Sequence, residues 1–153
     1  MGKRGYSEMT AQEELEIDKC NVQGDLFVYM AKNGYDMSAF VQTYMTSNFC
    51  YRHMDSDYSS YQYLYPELLS EYFLDELDLN LPKTDASYNK DVFFWMGFTY
   101  RYVTDKLEIS SYDLYQKVPY DTMLLLYEGY HTIDDDMVVD RIREDFFTEK
   151  DLD

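Results

Sequence analysis

The chain has 153 residues, 46% of them apolar, and a formal net charge of −17 from 30 carboxylates against 13 Lys and Arg; 18 residues are tyrosine. A disordered acidic tail is poor in aromatics, so this composition excludes one, and the charge disfavours nucleic acid and anionic membrane as direct partners while favouring basic proteins. The longest apolar run, Val92 to Tyr100, falls far short of the ~20 residues that a membrane-spanning helix needs.

In chain order the pattern predicts helices throughout. Thr10 and Glu13 have capping-box spacing and open a first helix. It carries Leu15, Cys20, Val22, Leu26, Phe27 and Met30 to a stop at Asn33-Gly34, with Gly24 marking a weak point or break inside it. A second helix fits Met37 to Phe49, and residues 50–60 read as a polar, Ser-rich loop. Pro66 is tolerated in the first turn of a third helix that runs to about Leu79. Lys83 to Asn89 is linker-like, and Asp91 is the expected cap of a fourth helix near 92–107. That helix is apolar nearly all round, which places it at the centre of the core. Ser110 or Ser111 caps a fifth helix, Pro119 opens a sixth, and Thr132 caps a seventh that ends near Phe147. The fold class is therefore all-α: a single compact bundle of about six to seven helices over residues 1–153, with a subdomain break near 80–90 as the alternative organisation.

The charge is spread over the whole chain, −9 in residues 1–80 and −8 in residues 81–153. One stretch stands out. Between Arg52 and Lys83 there is no Lys or Arg, while Asp55, Asp57, Glu67, Glu71, Asp75, Glu76 and Asp78 are acidic. Glu67, Glu71, Asp75 and Asp78 project within an arc of roughly 80° on a helix. No Lys or Arg sits at helical spacing to relieve their repulsion. A solvated face is the plain reading; a surface that docks onto Lys and Arg of a partner, or imitates a phosphate backbone, is the functional one. Tyr58, Tyr61, Tyr63 and Tyr65 lead into this helix and suit a contact surface.

Other candidates have structural explanations. Asp134-Asp135-Asp136 lacks the glycine and terminal glutamate of a calcium loop and fits a helix start, so no metal and no cofactor is expected. Arg101, set in the most apolar helix, requires a buried carboxylate or carbonyls. His131 and Thr132 fit an ordered turn before a helix. Catalysis by His131 with Tyr127 or Tyr130 is a remote alternative, since no nucleophile motif, P-loop or Cys-x-x-Cys accompanies it. Met1 to Gly5 has no apolar segment behind it, and Cys20 and Cys50 make no disulfide framework. The expectation is a cytoplasmic protein with reduced thiols.

In the second half, Trp95-x-Gly97-x-x-Tyr100-Arg101-Tyr102, then Ser110-Ser111-x-x-Leu114-Tyr115, then Leu126-Tyr127-x-x-Tyr130-His131-Thr132-Ile133-Asp134 with Val138-Val139-x-x-Ile142, form a series of packing and capping motifs. Residues ~90–146 thereby resemble a group of small helical bacterial proteins encoded beside ADP-ribosyltransferase-like toxins. The resemblance implies an antitoxin or accessory role. Together with the acidic surface it leads to a non-catalytic interaction protein that neutralises a basic partner, a toxin or a nucleic-acid-binding enzyme. Glu67, Glu71, Asp75, Asp78, Tyr58, Tyr61, Tyr63 and Tyr65 are the expected contacts, and a homodimer is compatible with them. The alternative is a nucleic-acid mimic acting against a restriction or CRISPR nuclease.

Overall fold

A computed structural model describes residues 9–78 and 80–152. Among these residues eight α-helices follow one another: α1 Ala11–Lys32, α2 Met37–Met45, α3 Asn48–His53, α4 Pro66–Glu76, α5 Lys90–Leu107, α6 Ser111–Lys117, α7 Tyr120–Tyr130 and α8 Asp135–Phe146. Short 3-10 turns occupy Ser60–Tyr63 and Glu149–Leu152. The fold is compact and all-α. Among the described residues the nearest thing to a sheet is one isolated bridge between Tyr35 and Lys83, and no helix is long and apolar enough to cross a membrane.

Local chemistry sets most boundaries. Thr10 Oγ1 accepts from the Glu13 N–H, and Glu13 Oε1 accepts from the Thr10 N–H, both at 3.1 Å, so the expected capping box is present. Gly34 ends the α1 turn at φ 82°, a conformation that favours glycine. Ser110 caps α6, and Pro119 precedes α7.

Several boundaries differ from the sequence expectation. The second helix divides at Thr46-Ser47, because Thr46 Oγ1 and Ser47 Oγ donate back to the carbonyls of Gln42 and Tyr44 at 2.7 and 2.6 Å. Ser47 then caps α3, so residues 48–53, four of the six expected in a loop, are helical. Helix α4 stops at Glu76 instead of Leu79. Its last turn holds Asp75 and Glu76 and no base, and acids are unfavourable at the negative end of a helix dipole. Asn89 rather than Asp91 caps α5, and Asp134 rather than Thr132 caps α8, accepting from the Asp136 N–H at 2.8 Å.

Helices α1 and α5 make the most extensive pairing in the molecule. At their crossing Gly24 and Gly97 remove two side chains. A Cβ on Gly97 would lie 2.6 Å from the Gln23 carbonyl oxygen, and one on Gly24 would lie 2.8 Å from the Phe94 ring. Gly24 therefore marks a close approach, and α1 runs through it unbroken. Beside this crossing, Phe27, Phe40, Tyr44, Phe49 and Phe73 from α1 to α4 form a cluster of mostly edge-to-face rings with centroids 5.3–5.8 Å apart. Such pairs contribute about 0.5–1.5 kcal/mol each beyond area burial.

The linker-like stretch is held in place. The Asp36 N–H donates to Pro82 O at 2.9 Å, the Thr84 N–H to Gly34 O at 2.8 Å, and Lys83 Nζ to Asn33 O at 2.9 Å. Helix α5 is central as expected, but not covered on every side. Phe93, Met96, Tyr100 and Val103 are buried, while Phe94, Phe98 and Tyr102 are half-exposed along its outer edge.

Candidate partner-binding cleft

Arg101 is fully buried and organises the floor of a cleft between α1, α5 and the segment 51–63. Its Nη1 donates to Asp55 Oδ1 at 2.7 Å and to Thr104 Oγ1 at 3.0 Å. Its Nη2 donates to Ser111 Oγ at 2.8 Å and to Gln23 Oε1 at 3.0 Å, and its Nε donates to Gln23 Oε1 at 3.2 Å. Every donor direction of the guanidinium is thus used. Gln23 is fixed in turn by Tyr44, whose hydroxyl donates to Oε1 at 2.9 Å, and by its own Nε2, which donates to Gly97 O at 2.8 Å. The buried ion pair that Arg101 required is therefore present, and its partner is Asp55.

Asp55 does a second job. It accepts from the Ser111 N–H at 2.9 Å and from Ser111 Oγ at 2.6 Å, which ties the 54–63 loop to the start of α6. The loop is closed from within by Gln62, whose Nε2 donates to His53 O at 3.0 Å and Ser56 O at 2.9 Å. With its backbone held this way, the loop turns Tyr61 inward and Tyr58 and Tyr63 outward. Tyr61 stacks on His53 with centroids 3.8 Å apart. Tyr58 and Tyr63 are 74% and 47% exposed, with rings 6.3 Å apart, and on α3 Tyr51 is 62% exposed.

Opposite these rings stand α1 and the end of α5. Lys19 is buried, with Nζ 3.3 Å from Asp105 Oδ1 and 3.4 Å from Ser56 O. Arg101 Nη1 reaches the same Asp105 oxygen at 3.9 Å. Asp105 Oδ2 is buried without any hydrogen-bond partner. Burial pushes the Asp105 carboxyl above the usual carboxylate range, against the pull of Arg101 and Lys19. Glu108 follows in a left-handed conformation, φ 55°, unusual for a residue with a Cβ, and this turns the chain towards Ser110. The resulting cleft encloses about 710 Å³. Its lining includes five carboxylates, Glu16, Asp55, Asp57, Asp105 and Glu108, against two cations, Lys19 and Arg101.

The structure divides the residues expected to form a contact surface. Tyr58 and Tyr63 belong to the cleft. Glu67, Glu71 and Asp75 are exposed on α4, with no ion-pair partner among the described residues, and Tyr65 is 79% exposed just ahead of them. Asp78 lies beyond the end of α4, since Leu77 is already extended, so the line of four carboxylates shortens to three. The acidic stretch is not wholly without a base either, because Arg52 of α3 pairs with Glu76. Tyr61 belongs to the packing under the loop. Lys19, Asp105, Glu108 and Tyr51 were missed. Lys19 and Asp105 meet across a long stretch of sequence, so no local spacing announces that pair, whereas Asp105 also stands one helical turn after Arg101, a spacing visible in the sequence.

His131 lies elsewhere. It is exposed, stacks on Tyr127 at 4.1 Å between centroids, and places Nδ1 2.6 Å from Tyr127 O. Thr132 is exposed in the turn that follows. Cys20 and Cys50 are free and fully buried, and burial raises both thiol pKa values. Among the described residues, no three His, Cys, Asp or Glu side chains converge to hold a metal ion. No family model matches the chain, nor does any curated protein or solved structure.

Proposed function

We propose that this chain is a non-catalytic interaction protein that binds a basic protein and neutralises it by covering its working surface, in the manner of an antitoxin. One observation carries the reading. Exposed carboxylates and exposed tyrosines lie next to each other along the 51–76 segment, and Arg52, already paired with Glu76, is its one Lys or Arg. Carboxylates at one-turn intervals along α4, spaced by about 6 Å, steer a basic partner into encounter. Aromatic anchors then hold the complex. The resemblance of residues ~90–146 to proteins encoded beside ADP-ribosyltransferase-like toxins supports the antitoxin form of this reading.

The test is kinetic. With the partner isolated from the native cell, reversal of Glu67, Glu71 and Asp75 to Lys is expected to slow association by about tenfold or more. It should also flatten the salt dependence of the association rate. Unchanged association would remove α4 from the proposal. A nucleic-acid mimic predicts instead that excess duplex displaces the chain from its partner. The shortening of the carboxylate line at Leu77 speaks against that form.

A further inference from the structure

The turn that ends α1 carries the one Asn-Gly pair in the chain; Asn21, Asn48, Asn80 and Asn89 are each followed by a residue with a side chain. An asparagine before glycine is prone to lose its amide, because no side chain crowds the attack of the next main-chain nitrogen on Cγ. Asn33 is exposed, so water reaches it. The fold nevertheless obstructs the reaction. Ring closure requires the peptide unit between Asn33 and Gly34 to turn until Gly34 N meets Asn33 Cγ. Both ends of that unit are held: Asn33 O accepts from Lys83 Nζ at 2.9 Å, and the Gly34 N–H donates to Ala31 O at 3.3 Å. The side-chain amide is held as well, with Nδ2 donating to Tyr29 O at 2.7 Å. Of these three restraints only the Lys83 bond comes from outside the α1 turn, 50 positions away in sequence. The ammonium is itself seated, 3.9 Å from the centre of the Tyr35 ring.

We propose that Asn33 is a site of spontaneous deamidation and that Lys83 sets its rate as a positioning residue, by pinning the peptide between Asn33 and Gly34. The inference is independent of what the chain binds. In the reaction Gly34 N gives its proton to a solvent base and bonds to Asn33 Cγ. The Cγ–Nδ2 bond then breaks, and the amide nitrogen takes a proton from water and leaves as ammonia. A second water opens the five-membered imide at either carbonyl and gives aspartate or isoaspartate. The sum is asparagine plus water to a carboxylic residue plus ammonia, with no change of oxidation state. Either product lacks the donor to Tyr29 O and adds charge at the negative end of α1. Isoaspartate also lengthens the main chain by one carbon just ahead of Gly34 O, which accepts from the Thr84 N–H.

The experiment ages the intact chain in mildly alkaline buffer and follows Asn33 by peptide mass spectrometry, with isoaspartate resolved by chromatography. Conversion is expected at Asn33 ahead of Asn21, Asn48, Asn80 and Asn89. It should run at least about tenfold more slowly than in the same chain unfolded in guanidinium chloride. Lys83→Met should speed conversion in the folded chain by about 3–10-fold. Lys83→Arg should stay closer to the parent chain, and neither variant should alter the rate in the unfolded chain. Gly97→Ala is the control for stability, since it strains the packing of α1 on α5 and leaves the Lys83 bond in place; its rate should remain near that of the parent. A folded rate equal to the unfolded rate overturns the proposal. So does a Lys83→Met rate at or below the parent's, which would make the ammonium a bystander or an aid to the amide anion. Equal acceleration by Gly97→Ala and Lys83→Met would route the reaction through global unfolding and remove the role assigned to Lys83.

Discussion

Gly97→Ala tests the packing that positions the cleft. The added methyl would sit 2.6 Å from Gln23 O, 2.9 Å from Gly24 Cα and 2.9 Å from the Phe27 ring. Carbon contacts are comfortable at about 3.5–4.0 Å, so α1 and α5 must separate by several tenths of an ångström or more. Two of the three obstacles are main-chain atoms of a helix, which no rotamer change relieves. Overpacking of this kind costs about 1–3 kcal/mol, and the gain of alanine over glycine in a helix, about 0.5–1 kcal/mol, offsets only part of it. Gly129→Ala supplies the control, because a methyl there meets nothing within 4 Å. It should be neutral or stabilise by up to about 1 kcal/mol. Urea unfolding followed by the fluorescence of Trp95, which packs edge-on to Tyr127 between α5 and α7, reads both. At a slope of about 1–3 kcal/mol/M, the Gly97 variant should lose about 0.5–1 M in its midpoint while the Gly129 variant does not. A Gly97→Ala midpoint at or above that of the parent chain would refute the close approach of α1 and α5.

Arg101→Met should destabilise the chain by about 3–5 kcal/mol, because Asp55 keeps its bonds to Ser111 but loses its buried counter-charge. Adding Asp55→Asn to that variant should recover part of the loss, and additive penalties in thermal unfolding would count against a direct pair. Neither Cys20 nor Cys50 should react with a thiol-specific dye in the folded state, and both should react on unfolding; labelling under native conditions at the rate of a free thiol would contradict their burial. Burial, and then the neighbouring Arg52, lowers the His53 pKa below its ordinary value. The unfolded chain therefore binds the proton more readily than the folded one, and stability should be held at neutral pH and decline as pH falls through the unfolded histidine value of about 6.5. A His53 NMR titration midpoint at or above that value would reverse the sign.

The legible features of this fold were those written in neighbouring residues. Thr10 with Glu13, Asn33-Gly34, Ser110 and Pro119 each state a helix boundary through bonds or backbone limits spanning a few positions. The need of Arg101 for a buried carboxylate also followed from its apolar setting, though not the identity of Asp55, 46 residues away. Gly24 was misread because a break and a close crossing look alike until the partner helix is known. The α2–α3 division was hidden because Thr46 and Ser47 act through back-bonds that compete with the helix on nearly equal terms. Asp78 dropped out of the acidic face for an electrostatic reason, an acidic last turn, that helical projection alone does not weigh. The cleft was the least legible part. Tyr58 and Tyr63 were identified from their place just ahead of the acidic helix, but Lys19 and Asp105 come from α1 and α5, whose pairing no local spacing announces.

The crossing of α1 and α5 also governs how the chain acquires its structure during synthesis. Gln23 and Gly97, hydrogen-bonded in the folded state, lie 74 positions apart. Closing a loop of that length costs about 4 kcal/mol of chain entropy before any contact across it is gained. At translation speeds of about 5–20 residues per second, α1 waits roughly 4–15 s for α5 to be made. For that interval the face bearing Leu26, Phe27 and Met30, fully covered in the finished molecule, has only α2 to α4 to shelter it. Nascent-chain quality control would meet the molecule in this half-covered form, and substitutions that weaken the Phe27–Phe40–Tyr44 cluster should lower its cellular yield more than its equilibrium stability.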